Sequence, residues 1–132
     1  MDFSISDDHR DIREGVSAVV RKFDDSYWLA RDDDGQFPHE FHRAMAKAGW
    51  LGITLPAEYG GAGLGVTEAS IMMHEVASHG GGMAAASTVH ITCLGHTRLW
   101  CLAPQNNASA GCRIWCRART NAALGSPSPT PA

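Results

Sequence analysis

Seven histidines, four cysteines, three consecutive aspartates and a run of glycines are the residues of this 132-residue chain that could do chemistry. Cys93, Cys101, Cys112 and Cys116, with His96, offer the thiolates and imidazole that zinc takes. Their spacings leave seven, ten and three intervening residues and match no standard zinc module. The histidine pairs His39/His42 and His74/His79 have no acid or cysteine partner at ligand spacing, so a surface or helix-face position is expected for them. Asp32-Asp33-Asp34 is acidic enough for a cation, but calcium loops need ligands at set intervals around a glycine turn, and a solvated connection is expected instead. Gly60-Gly61-Ala62-Gly63-Leu64-Gly65 follows a short apolar run and precedes a helix, the context of a phosphate loop. A P-loop ends in Gly-Lys-Ser/Thr, and a dinucleotide fingerprint counted from Gly61 and Gly63 would need glycine where Val66 stands. The run therefore reads as a tight chain reversal. No nucleophile–base pair is specified either, so no catalytic, cofactor-binding or metal-binding residue is assigned.

The elements that carry these residues are helical. Residues 6–24 form an amphipathic helix capped by Ser4 or Ser6, with Asp7, Asp8 and Asp11 suiting its positive end. Ile12, Val16, Val19, Val20 and Phe23 recur on one face. The acid-rich stretch 24–35 breaks the pattern and reads as a loop from which Tyr27 and Trp28 pack back. A second helix starts at Phe37-Pro38, buries Phe41, Met45 and Ala48, and stops at Gly49 through a positive φ. Residues 50–56 read as a short extended apolar piece. A third helix over 67–79, capped by Thr67, turns Ala69, Met72, Met73 and Val76 inward, with the Met72-Met73 pair as core. After Gly80-Gly81-Gly82, the stretch Met83 to Ile91 begins a fourth helix of small residues. No internal repeat is found, and the expected fold is an all-α helical bundle.

Length allows one small domain. A net charge of −3 gives no reason to expect nucleic acid or an anionic membrane as partner. No apolar run approaches the roughly 20 residues of a membrane helix. Met1-Asp2-Phe3-Ser4 is acidic and leads into no apolar segment, so no signal peptide is read and a cytoplasmic (or mature organellar) location is the expectation.

The averages conceal a discontinuity. All 14 Asp and Glu lie at or before Glu75, and all four Cys at or after Cys93. Residues 1–92 hold seven Lys and Arg against those 14 acids, a net −7, whereas residues 93–132 hold four Arg and no acid, a net +4. Two differently composed texts meet near Thr92.

The first text carries a longer pattern: Phe37-Pro38, then Ala48-Gly49-Trp50-Leu51-Gly52-Ile53, then Leu55-Pro56-Ala57-Glu58-Tyr59-Gly60-Gly61-Ala62-Gly63. It resembles the N-terminal helical domain of the acyl-CoA dehydrogenases, whose members carry a Gly, Leu-Gly, Pro-Glu, Tyr-Gly-Gly, Gly signature between their second and third helices. Ala57 separates Pro56 from Glu58, and Glu68 and Glu75 on the following helix also fit. The resemblance covers residues 1–92, and in the family these positions shape the fold.

The second text reads as the same gene in a wrong frame. If each true codon is the third base of one residue's codon plus the first two bases of the next, two bases in three are nearly fixed. Residues 92–107 then allow M-F-G-P-H-P-I-V-V-F-G-T-A-E-Q, with one Val forced by Trp100-Cys101 and the Gln forced once a stop is excluded. Residues 110–113 allow W-L-P, 115–121 allow V-Q-G-K-D-K, 121–125 allow R-C-F-G and 125–129 allow V-T-E-P. That is the family's run into its flavin-contacting V-T-E-P segment, in order and at the right spacing. A lost or gained base near Thr92 is therefore expected, in the gene or in its reading. The domains are 1–92, helical, and 93–132, an out-of-frame and unstructured tail whose cysteines carry no function and whose Ser126 to Pro131 end is disordered.

The resemblance implies FAD-dependent α,β-dehydrogenation of acyl-CoA thioesters, an oxidoreductase step of fatty acid oxidation. It implies electron-transfer flavoprotein as acceptor and homo-oligomers, often tetramers. It places the flavin in a middle β-barrel and the catalytic base in a C-terminal domain, neither encoded in frame here. The chain is thus expected to be inactive and to bind no FAD alone, and Glu58, Glu68 and Glu75 do not replace the base. The fourth helix lines the acyl pocket in the family, which points to Ala86 and His90 as pocket residues beside the reading that both simply pack in the bundle. The alternative is a non-catalytic helical module that associates with intact family subunits.

Overall fold

The computed structural model describes residues 6–102, with side chains described for residues 6–93. Five α-helices follow one another: α1 (Asp7–Val20), α2 (Asp25–Asp34), α3 (His39–Lys47), α4 (Val66–Ala77) and α5 (Gly82–Leu102). Short 3₁₀ turns at Trp50–Gly52 and Ala57–Tyr59 lie between α3 and α4. The described residues are all-helical, as the hydrophobic periodicity predicts.

Helices of nine to 14 residues, the length of α1 through α4, are marginal alone, so their apolar faces must hold them. Ile12, Val16, Val19 and Val20 of α1 pack on Ala69, Met72 and Val76 of α4, and α4 in turn packs on Ala85, Ala86 and Val89 of α5. Phe41 and Met45 of α3, fully buried, close the core with Leu51 and Ile53. Each such buried side chain contributes about 1.5–3 kcal/mol relative to exposure.

Five expectations need correction. Ala48, expected in the buried stripe of the second helix, is exposed beyond the last turn of α3. The stretch 25–34 is the helix α2, not a loop. Asp24 caps it by accepting from the Tyr27 N–H at 3.0 Å, and Gly35 stops it at φ 62°. Only Trp28 of α2 is buried, so no periodic apolar signal marks it. The cap of α4 is not Thr67: the helix begins after Gly65, whose N–H donates to the Glu68 carboxylate at 2.9 Å. The segment after Gly49 is not extended but wound into the 3₁₀ turn Trp50–Gly52 and further turns. The tail is not unstructured from residue 93: helix α5 runs on through Leu102, so regular backbone crosses the compositional break at Thr92. The other tail positions, 103–132, lie outside the described residues.

Candidate functional site

Helix α5 was the element expected to carry a substrate wall. Its buried arc consists of Ala85, Ala86, Thr88, Val89, Thr92 and Cys93. The two threonines are satisfied there, Thr88 Oγ1 by the Ala84 carbonyl at 2.9 Å and Thr92 Oγ1 by His42 Nε2 at 3.2 Å. The opposite arc, Met83, Ser87, His90 and Ile91, is exposed. Ala86 is 5% exposed and sits inside the buried arc. His90, roughly 40° further round the helix, faces outward. Of the expected pair, only His90 presents its side chain at the surface of this chain.

The carboxylates are committed elsewhere. His9 and Arg13 on α1 are one turn apart, and Glu68 and Glu75 on α4 are two turns apart, so the facing rows meet. His9 Nε2 lies 3.3 Å from Glu68 Oε1, and Arg13 Nε donates to Glu75 Oε2 at 3.3 Å. His79 Nε2 lies 3.2 Å from Glu75 Oε1 and 3.4 Å from Ser17 Oγ. Burial pushes the Glu75 carboxyl up, but the hydrogen bonds of His79 and Arg13 and the Arg13 charge outweigh it and hold the group below the ordinary range. Glu68 is held low by its own backbone N–H, then by His9 and the Gly65 N–H. A general base needs a pKa near the working pH, so this seam joins helices and is not set up for proton abstraction. The single-residue motifs did not suggest it, although the spacing 9, 13, 17 against 68, 75, 79 was there to be read.

The glycine run folds as a self-contained reversal. The N–H groups of Gly60, Gly61, Ala62, Gly63 and Leu64 donate to the carbonyls of Ala57, Pro56, Gly52, Leu55 and Ile53 at 2.7–3.2 Å. Their donors are used internally, which leaves no amide cradle for a phosphate. Gly61 is required by close approach, since a Cβ there would overlap the Leu55 carbonyl group and its Cβ.

Among the described residues no group of three His, Cys, Asp or Glu gathers as a metal site. Cys93, expected to be accidental, sits in the core at 2% exposure with its Sγ 3.6 Å from the Leu51 carbonyl oxygen. Burial pushes its thiol up to about 12, so it packs as a small apolar group. The side chain of Cys101 and all of Cys112 and Cys116 lie outside the described residues. Surface clefts of about 570 Å³ between α2 and Gly80–Ala84, and about 610 Å³ beside Arg10, Arg13 and Arg21, are open to solvent.

Comparison with known sequences places this arrangement. The family model described as Acyl-CoA dehydrogenase, N-terminal domain, matches residues 6–100. The chain belongs to the acyl-CoA dehydrogenase family. It is 32% identical to acyl-CoA dehydrogenase FadE12 of Mycobacterium tuberculosis over 81 residues, 61% of this chain and 21% of that protein. It is 30% identical to benzylmalonyl-CoA dehydrogenase of Aromatoleum aromaticum over 98 residues, 74% of this chain and 26% of the relative. It is also 27% identical to mitochondrial isovaleryl-CoA dehydrogenase of Pongo abelii over 88 residues, 65% and 21% of the two chains. The chain thus spans about a fifth to a quarter of these acyl-CoA dehydrogenases. No solved structure matches it. No described helix is long and apolar enough to cross a membrane.

The family uses FAD, and the described residues do not fit a flavin site. The amides of the glycine turn are internally bonded, the Glu68 and Glu75 carboxylates are tied to α1, and the clefts described are open to solvent.

Proposed function

We propose that this chain is the N-terminal helical domain of an acyl-CoA dehydrogenase whose remaining text is carried out of frame after Thr92, and that it is inactive alone. The domain match over residues 6–100 supports the family part of this reading, and it runs eight residues past Thr92. The frame part rests on the change of composition near Thr92 and the codon reading of residues 92–129, and the inactivity on carboxylates that are ion-paired rather than poised as bases. In an intact product FAD would accept hydride from the β-carbon of an acyl-CoA while a carboxylate elsewhere takes the α-proton. Electron-transfer flavoprotein would then receive the electrons, and the intact subunits would form homotetramers. In that setting α5 would give one wall of the acyl pocket, with His90 at its surface and Ala86 setting how closely α5 packs. A cytoplasmic location goes with this reading. The purified chain, incubated with FAD and acyl-CoAs of several lengths, should retain no flavin and reduce no dye. Turnover would overturn the proposal.

A second reading, a helical module that pairs with intact family subunits, is favoured by one observation. Met83 and Ile91 stand 75% and 62% exposed along the outer face of α5, an apolar stripe left uncovered. Co-purification with an intact subunit, lost in a Met83→Lys/Ile91→Lys variant, supports it. A chain that stays monomeric in the presence of that subunit counts against it.

A further inference from the structure

We propose that α2 is a hinged strap that opens as one helical unit about Asp24 and Gly35, drawing Trp28 out of its seat between Phe41 and Gly81. The other helices are held by rows of buried residues: α1 by five, α4 by three. Helix α2 is held by one, Trp28, while Leu29 beside it is 68% exposed.

What keeps α2 helical travels with it. Asp24 accepts from the Ser26 hydroxyl at 2.7 Å and from the Tyr27 N–H at 3.0 Å. Arg31 pairs with Asp34 at 2.6 Å within the helix, and Asp34 accepts from the Gln36 N–H at 2.8 Å beyond it. The Trp28 indole N–H donates to the Phe23 carbonyl at 3.2 Å, next to the hinge at Asp24. Among the described residues its side-chain attachments to other helices are few, and they gather on Tyr27 and Trp28. Tyr27 Oη donates to Glu40 at 3.0 Å in an exposed position, and the Trp28 ring meets Phe41 edge-on at 5.0 Å.

The seat itself is smooth. A Cβ on Gly81 would overlap the Trp28 indole, with Cζ2 at 2.6 Å, and one on Gly80 would overlap the Asp25 carboxylate. Bare backbone therefore faces α2 at Gly80 and Gly81, and the Trp28 indole against Phe41 is what anchors the helix there. The open cleft of about 570 Å³ lies along the same edge, walled by Trp28, Leu29 and Arg31 on one side and Gly80, Gly81 and Ala84 on the other. Moving α2 widens this cleft while the contacts of α1, α4 and α5 stay in place.

Native-state hydrogen exchange of the full chain, read by mass spectrometry, tests the strap. A ten-residue helix lifted off the core is marginal alone and frays while open, so amides 28–34 should exchange at least about tenfold faster than those of α1 and α4. Tyr27→Phe, which removes the Glu40 tether, and Gly81→Ala, which crowds the indole, should each speed exchange in α2 and leave α1 and α4 unchanged. Equal protection of α2 and α4 in the unmodified chain overturns the proposal. So does loosening of α1 and α4 by both variants to the same degree as α2.

Discussion

Arg13 on α1 and Glu75 on α4 meet across 3.3 Å, and the second Glu75 oxygen lies 3.2 Å from His79. Glu75 is 12% exposed and Arg13 39%, so the pair sits at the edge of the core where solvent screens it partly. Glu75→Gln should cost about 1 kcal/mol near neutral pH after allowing for that screening. The folded-state pKa of Glu75 lies below its ordinary 4.5. Its contribution is therefore full above the unfolded value and is lost as pH falls through the folded one. Urea midpoints of the two proteins should differ steadily from about pH 7 to pH 5 and converge below about pH 4. A difference unchanged at pH 3 contradicts this.

Adjacent glycines should respond differently. Gly60 holds φ 83° with open space where a Cβ would go, so Gly60→Ala should cost about 1–2 kcal/mol through backbone conformation alone. Gly61 is pressed against Leu55, and Gly61→Ala should cost about 3 kcal/mol or more, because the backbone must move. Thermal midpoints check the order. Equal effects would mean that the reversal is looser than described.

Phe41 is fully buried and meets Phe23 and Trp28 edge to face at 5.4 and 5.0 Å. Phe41→Ala should cost about 3–5 kcal/mol, a large part of the stability of so small a domain. Circular dichroism at rising urea should show the variant unfolding at a far lower midpoint than the parent chain.

Cys93 should resist alkylation. Its thiol is pushed up to about 12 by burial, so almost no thiolate exists at pH 8. Iodoacetamide followed by peptide mapping should leave Cys93 unmodified in the native chain and label it in urea. Rapid native labelling would show that this end of α5 does not stay packed.

The three helices with dense apolar spacing were legible in the sequence, because Ile12, Val16, Val20 and Phe41, Met45 and Met72, Val76 each recur at helical intervals. So was the stop at Gly49, which takes φ 84°. Helix α2 was not legible, since one buried Trp28 makes no period. Nor was the length of α5: the stretch 94–102 holds no proline, and the first one after it is Pro104. The shifted frame would instead read G-P-H-P just past residue 93, where a helix must end. On the proposed reading the shift would remove a stop signal, and Cys93 would be held in the core by the position it occupies. Of the candidate site, the helix-to-helix seam could have been seen from its spacing. Which face of α5 is buried depends on packing against Trp50 and α4, which no local pattern reports.

The central claim is that an acyl-CoA dehydrogenase text continues out of register after Thr92, and the nucleotide sequence of the message tests it most directly. For the hidden frame to spell V-T-E-P, the codon of Gly125 must end in G, and Ser126, Pro127 and Ser128 must be TCA, CCG and AGC. The account predicts those codons. A Ser128 codon beginning TC makes the glutamate impossible and contradicts it.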